Sequence, residues 1–195
     1  MSIGSLSYTG QFRAGNIAKR INAWRSLTSD ERILTIVMGC QLEFDEPPCQ
    51  TKAPRVTNLS AKEAQIACAE VQKLLDKEVI TKTTHDVDEF ISTTFTRPKR
   101  DGSHRLILNL KKLNEHIAYH HFKMDSLQSA VQLLKPHCCM AAYYVYSVPI
   151  RTDHRKYLLF EHDGQLYEFV CLPNGLSSAP RIFTKLLKQF CLFDR

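Results

Sequence analysis

The chain has 195 residues, a net charge of +6, and 44% hydrophobic and 24% charged residues, which excludes a disordered or fibrous class and suits an ordinary folded protein. Its apolar runs are too short to span a bilayer, and the first fifteen residues lack the apolar core of a secretory leader; the expectation is an intracellular protein of cytoplasm or nucleus with no membrane partner. The seven cysteines include no C-x-x-C pair, which favours free thiols in a reducing compartment.

In chain order, Ile17, Ile21 and Trp24 fall at i, i+4 and i+7, the spacing of a short amphipathic helix. Thr28 and Glu31 form a T-x-x-E capping box ahead of RILTIVM, a helix that Gly39 can close. Pro47, Pro48 and Pro54 punctuate an extended connector over 46–59. Ser60 and Glu63 make a second box, and Ala67, Val71, Leu74 and Leu75 line one face of the helix that follows. Phe90–Thr96 and Leu106–Leu110 flank the turn dipeptide Asp101-Gly102, which predicts a β-hairpin. Asp125 or Ser126 caps a helix with Leu127, Ala130, Val131 and Leu134 on its face, ended by Pro136. Met140–Ile150, MAAYYVYSVPI, is β-branched and aromatic and reads as a strand. Tyr157–Phe160 and Gln165–Cys171 form a second hairpin around Asp163-Gly164. The loop LPNGLSSAP leads into a last helix, with Pro180 near its first turn and Phe183, Leu187 and Phe190 on one face. The predicted fold is α+β, built on antiparallel pairs, with an arm and connector over 1–59 and a domain over 60–195.

The positive charge is concentrated. Between Arg97 and Lys123 lie seven cations (Arg97, Lys99, Arg100, Arg105, Lys111, Lys112 and Lys123) against two acids, Asp101 and Glu115. Such a patch suits a polyanion, although the same cations would also guard a hairpin edge against aggregation. At the hairpin tip, Lys offers phosphate a point charge and Arg a planar fork. In LPNGLSSAPRIF, Asn174-Gly175 permits a tight turn, and the helix after it presents free N–H groups; an ordinary strand-to-helix connection has the same features. His116, His120 and His121 have zinc-compatible spacing, with His137-Cys138-Cys139 nearby, but the C-x₂₋₄-C half of a finger is missing, so no zinc is expected.

Taken in order, KRDGSHRLILNLKKLN, AAYYVYSVPI and GQLYEFVCLPNGLSSAPRIFTKLL resemble a retroelement reverse transcriptase, an RNA-directed DNA polymerase, and most of all those of DIRS-type, tyrosine-recombinase retrotransposons. YHHFKMDSLQSAVQLL and AWRSLTSDERILTIVMGCQLEFDEPP are similar to the same group. The resemblance implies a partial right-hand polymerase fold of fingers and part of the palm, with template–primer RNA or DNA and nucleotide as partners. Lys99, with Arg100 as its alternative, and Arg105 match positions that hold the incoming triphosphate. Asn174 matches a polar residue beside the nucleotide sugar, and Gly175 a glycine that lets the template–primer approach. Arg97, Lys111, Lys112 and Lys123 would contact nucleic acid. One of Tyr143, Tyr144 and Tyr146 would exclude the ribose 2′-hydroxyl.

The intact family uses two divalent ions, commonly Mg²⁺, fixed by carboxylates. One of these belongs on the strand that here reads MAAYYVYSVPI, and no acid occurs between Asp125 and Asp153. Asp125 sits where a helix cap is expected, and Asp153 in a turn. The family's Y-x-D-D hairpin would follow the last helix, and none occurs by Arg195. The resemblance is therefore to a domain truncated before that motif. We assign no catalytic residue, no metal ligand and no cofactor to this chain. The expectation is an inactive domain with residual nucleotide or nucleic-acid binding; the alternatives are a non-enzymatic interaction module or a remnant without function.

Overall fold

The structure is a computed structural model that describes residues 12–52, 54, 60–122 and 145–192, the last three without their side chains. Helix α1 (Ile21–Leu27) follows a short 3₁₀ turn, Asn16–Arg20, and buries Trp24 as its spacing predicts. Helix α2 (Glu31–Met38) starts from a different cap than expected. Asp30, one residue ahead of the helix, accepts from the Arg32 N–H at 2.9 Å, and the Thr28 hydroxyl instead accepts from the Asp30 N–H at 3.2 Å. Asp caps at least as well as Thr, and the two lie close enough in sequence to compete. Helix α3 (Ala61–Asp76) keeps its box: the Ser60 hydroxyl accepts from the Glu63 N–H, and the Glu63 carboxylate accepts from the Ser60 N–H at 2.9 Å. Ala67 and Val71 are buried along its inner face.

Strand β1 (Ile80–Thr83) was not foreseen; at four residues it is too short for a period to declare itself. Strands β2 (Thr94–Pro98) and β3 (His104–Leu108) form the first expected hairpin, in register from Thr94 opposite Leu108 to Pro98 opposite His104. A short helix, α4 (Lys111–Asn114), follows. Strands β4 (Leu159–His162) and β5 (Gln165–Phe169) form the second hairpin, turned by Asp163 and Gly164 at φ 52° and 70°, the left-handed pair such a two-residue turn requires. The sheet order is β1-β5-β4, all antiparallel, with the β2–β3 hairpin separate.

The described half of 140–150 is not the expected strand. Val145–Ser147 wind into a 3₁₀ turn, and Pro149 and Ile150 then make single bridges to Cys171 and Cys40. Bonds from the Ile150 N–H to the Val170 carbonyl and from the Leu172 N–H to the Val148 carbonyl flank Pro149, and the pairing stops where the chain enters the 3₁₀ turn. Residues 123–144, including the helix expected after Asp125 and the other half of this strand, lie outside the described residues.

Helix α5 (Ala179–Leu192) also departs from expectation. It buries Ala179, Ile182 and Leu186, while Phe183 and Leu187 are only half-buried and the Phe190 side chain lies outside the described residues. Its apolar residues cover more than one stripe, and packing against α2 selects the stripe one residue ahead of the one expected. A single core joins these parts: Trp24, Leu34 and Val37 of the N-terminal helices pack in one cluster with Leu113, Ile150, Phe160 and Ile182. No helix among the described residues is long and apolar enough to cross a membrane.

One ion pair ties the chain's two halves. Arg181, 8% exposed, donates to Glu43 at 2.8 Å, and His120 reaches the same oxygen at 2.5 Å. Partial burial alone would raise the Glu43 carboxyl, but Arg181, and after it His120, hold it below its ordinary value. A depressed carboxyl stabilises the fold at neutral pH and loses that contribution as pH falls below the ordinary value of 4.5. Glu43→Gln is expected to cost about 1–3 kcal/mol at pH 7, nearer the lower figure because Glu43 is half-exposed. It should also flatten the acid limb of a urea-midpoint profile against pH; an unchanged limb would show that the pair contributes nothing.

Candidate nucleotide-binding site

The β2–β3 hairpin carries a cluster of like charges on one face. Arg97 and Arg105 are direct cross-strand partners, and Lys99 follows immediately after the end of β2. All three are exposed, and the Arg97 guanidinium lies 5.5 Å from the centre of the Phe95 ring. Opposed like charges destabilise a strand pair; the Phe95 ring offsets part of this for Arg97, and a polyanion would neutralise the rest. The tip is shaped independently of these cations: the Asp101 carboxylate accepts from the Ser103 N–H at 3.0 Å and from its hydroxyl at 2.6 Å, and Gly102 takes a φ of 78°.

Beneath the hairpin lies a cavity of about 540 Å³. Lys99 and Arg105 line it from the hairpin, Asn174 and Gly175 from the loop before α5, and Tyr146 from the 3₁₀ turn. Four of the five residues expected to contact a nucleotide thus meet around one space, although they come from segments roughly seventy residues apart. The fifth, Arg100, is exposed at the tip and does not line it, so Lys99 is the hairpin lysine that faces the cavity. Of the residues expected to contact nucleic acid, Arg97, Lys111 and Lys112 are exposed outside the lining, and Lys123 lies outside the described residues. Tyr143 and Tyr144 also lie outside them, which leaves Tyr146 as the tyrosine seen at the cavity. Burial pushes the Tyr146 hydroxyl up, against the opposing pull of the Asn174 side chain and the positive charge of Arg105.

The loop is anchored on both sides of its exposed turn. Leu172, Pro173 and Leu176 are fully buried, whereas Asn174 and Gly175 stand in solvent. Gly175 has a φ of 95°, which a side chain would strain, and it passes close to the Leu108 carbonyl at the end of β3. Asn114 clamps the turn: its Nδ2 donates to the Gly175 carbonyl at 2.9 Å, and its Oδ1 accepts from the Ser177 N–H at 2.9 Å. Sequence reading missed Asn114. The only available signal was its place at the end of KKLN, and a bridging amide has no spacing that marks it.

A second wall was missed as well. Glu70, Lys73 and Leu74 line the cavity from one face of α3, and Lys77 from the cap at its C-terminus. Glu70 is the only carboxylate among the described lining residues, and its Oε1 lies 2.5 Å from the Lys73 ammonium. Asp153 forms a fork–fork pair with Arg151 at 2.5 and 2.6 Å, and that guanidinium holds its carboxyl below the ordinary range. These residues do not fit a two-metal centre, which needs paired carboxylates facing a shared ion. Among the described residues no three His, Cys, Asp or Glu side chains converge as a metal site; His137-Cys138-Cys139 lies outside them. Cys40 and Cys171 are buried free thiols, Cys40 being pushed up to about 12 by burial, and Cys49 and Cys68 are exposed.

No family model matches the chain, and no curated protein matches it. Among solved structures it is similar to the crystal structure of Prototype Foamy Virus Protease-Reverse Transcriptase (native), with a TM-score of 0.53 and 20% identity over 77% of this chain and 19% of that one. The chain therefore spans about a fifth of the length of the protein it matches. The likeness is one of fold, to a chain that contains a reverse transcriptase.

Proposed function

We propose that this chain is a reverse-transcriptase-like domain of a retrotransposon, of the DIRS type, comprising the fingers and the first part of the palm of a right-hand polymerase. In this reading residues 60–195 form the domain, and 1–59 an arm and connector whose described part packs back on the same core. The domain acts inside the cell as a binder of nucleotide and template–primer, and does not catalyse nucleotidyl transfer. The observation that carries this reading is the meeting of Lys99, Arg105, Asn174, Gly175 and Tyr146 around one cavity. Lys99 and Arg105 hold the triphosphate, Asn174 lies beside the sugar, Gly175 lets the template–primer approach, and Tyr146 faces the 2′ position. Arg97, Lys111, Lys112 and Lys123 steer the nucleic-acid backbone, with little sequence preference because phosphate contacts carry none.

The absence of catalysis follows from the donor set. Residues 126–152 contain no acid, and the one carboxylate described in the cavity wall is already paired with a lysine. Mg²⁺, where the intact family binds it, would stabilise the charge on the attacking and leaving oxygens; the described residues around the cavity offer no paired carboxylates to hold it. The test combines two measurements on the purified chain. A labelled RNA–DNA primer–template is expected to bind with an affinity that falls steeply with salt, and to yield no extended product with Mg²⁺ or Mn²⁺. Metal-dependent extension would overturn the assignment of inactivity, and the absence of any nucleic-acid or nucleotide binding would overturn the site.

A further inference from the structure

We propose that the cavity binds the triphosphate chain of a nucleotide without a divalent ion, with Lys73 and Lys77 of α3, facing Lys99 and Arg105, supplying the positive charge a metal would carry. The inference rests on the nucleotide reading above and deepens it by naming the bound form of the ligand.

Residues 70, 73, 74 and 77 follow the i, i+3, i+4, i+7 spacing of a single helical face, so α3 and its C-terminal cap present Lys73 and Lys77 to the cavity together. Opposite them, Lys99 and Arg105 descend from the hairpin. Four cations against one carboxylate therefore line a space of about 540 Å³, within the usual range of small-molecule sites of about 300–1,000 Å³. A cleft lined mainly by one sign of charge focuses its field on an entering ion of the other sign.

The helix dipole gives both lysines a reason to sit in the last turns of α3, but not a reason to share a cavity with two cations of another element. Lys77 is half-buried at the end of the helix, its carbonyl accepting from the Ala14 N–H at 3.0 Å, so its backbone is fixed at the cavity wall. The Lys73–Glu70 pair leaves Lys73 58% exposed. Glu70 is only 13% exposed and Lys73 is the solvent-facing partner, so the ammonium, with three N–H donors, can reach a phosphate oxygen while keeping the carboxylate. A metal-bound triphosphate carries less negative charge than the free one, so this lining favours the free form.

Calorimetry on the full chain tests this with dTTP and with inorganic tripolyphosphate, each in EDTA and in excess Mg²⁺. We expect dTTP to bind in EDTA and to bind several-fold more weakly in Mg²⁺. Lys73→Gln/Lys77→Gln should weaken the EDTA affinity by about tenfold or more. Tighter binding of dTTP than of tripolyphosphate supports a nucleotide as the source of the phosphate chain, and equal binding overturns it. Binding that requires Mg²⁺ overturns the proposal while leaving the nucleotide site standing. So does unchanged affinity in Lys73→Gln/Lys77→Gln when Lys99→Ala/Arg105→Ala loses it. Failure of dTTP to bind under either condition removes both. The EDTA and Mg²⁺ comparison uses the unaltered protein and does not depend on the variants folding.

Discussion

Lys99→Ala/Arg105→Ala is expected to weaken dTTP binding by roughly a hundredfold at low salt, if each charged contact is worth about tenfold. It should also make the plot of log affinity against log salt shallower, because two screened charge contacts to the triphosphate are lost. The slope is the more diagnostic quantity, because a merely misfolded variant lowers affinity without a defined change in slope. Stability should move the other way, or not at all. Arg105 stands directly opposite Arg97, so its removal relieves a like-charge pair, and neither Lys99 nor Arg105 is buried. A variant with an unchanged melting midpoint and an unchanged slope would show that these cations guard the hairpin edge and bind nothing. Lys111→Ala/Lys112→Ala, on exposed α4 outside the cavity, serves as the comparison and should alter nucleic-acid binding without altering dTTP binding.

Phe160→Ala is expected to cost about 3–5 kcal/mol, the usual result of emptying a large buried aromatic site. Phe160 is fully buried on β4; its ring centre lies 5.3 Å from that of its cross-strand partner Tyr167, and 5.9 Å from that of Phe169. Against a typical total of about 5–15 kcal/mol, such a loss leaves a marginal fold. Urea denaturation followed by tryptophan fluorescence is a direct measure, since Trp24 is the only tryptophan and belongs to the same core cluster. The site should suffer with the core: β5 carries Phe169 into the cavity wall, and the chain runs from there through buried Cys171 and Leu172 to Asn174. A shift below about 1 kcal/mol would mean that the β1-β5-β4 sheet is not the stabilising centre of the molecule.

Features written in adjacent residues were legible. Asp163-Gly164 turned a hairpin with both residues left-handed, and Asp101-Gly102 turned one with Gly102 alone left-handed, a backbone few residues accept. Ser60 and Glu63 capped α3 as their spacing predicts, since both partners of that box lie within one helical turn. Where two local solutions competed, reading by pattern chose wrongly. Asp30 displaced Thr28 as the cap of α2, and α5 turned a different apolar stripe inward, because energies that differ by tenths of a kcal/mol are decided by what the element packs against. MAAYYVYSVPI carries strand-forming residues, yet its described half winds into a 3₁₀ turn and makes only single bridges, held by Cys40 and Cys171 from distant parts of the chain.

The candidate site divides along the same line. The sequence alone determined its chemistry: which cations crowd the first hairpin, that a glycine follows Asn174, and that no acid lies between Asp125 and Asp153. Composition and order are covalent facts, and charge follows from them directly. The tertiary structure alone decided the company each residue keeps. It brought Lys99 rather than Arg100 to the cavity, set Lys73 and Lys77 opposite, placed Tyr146 beside Asn174, and used Asn114 to hold the Gly175 turn. These contacts join residues separated by tens of positions, and burial of a shared core, not any local preference, brings them within reach.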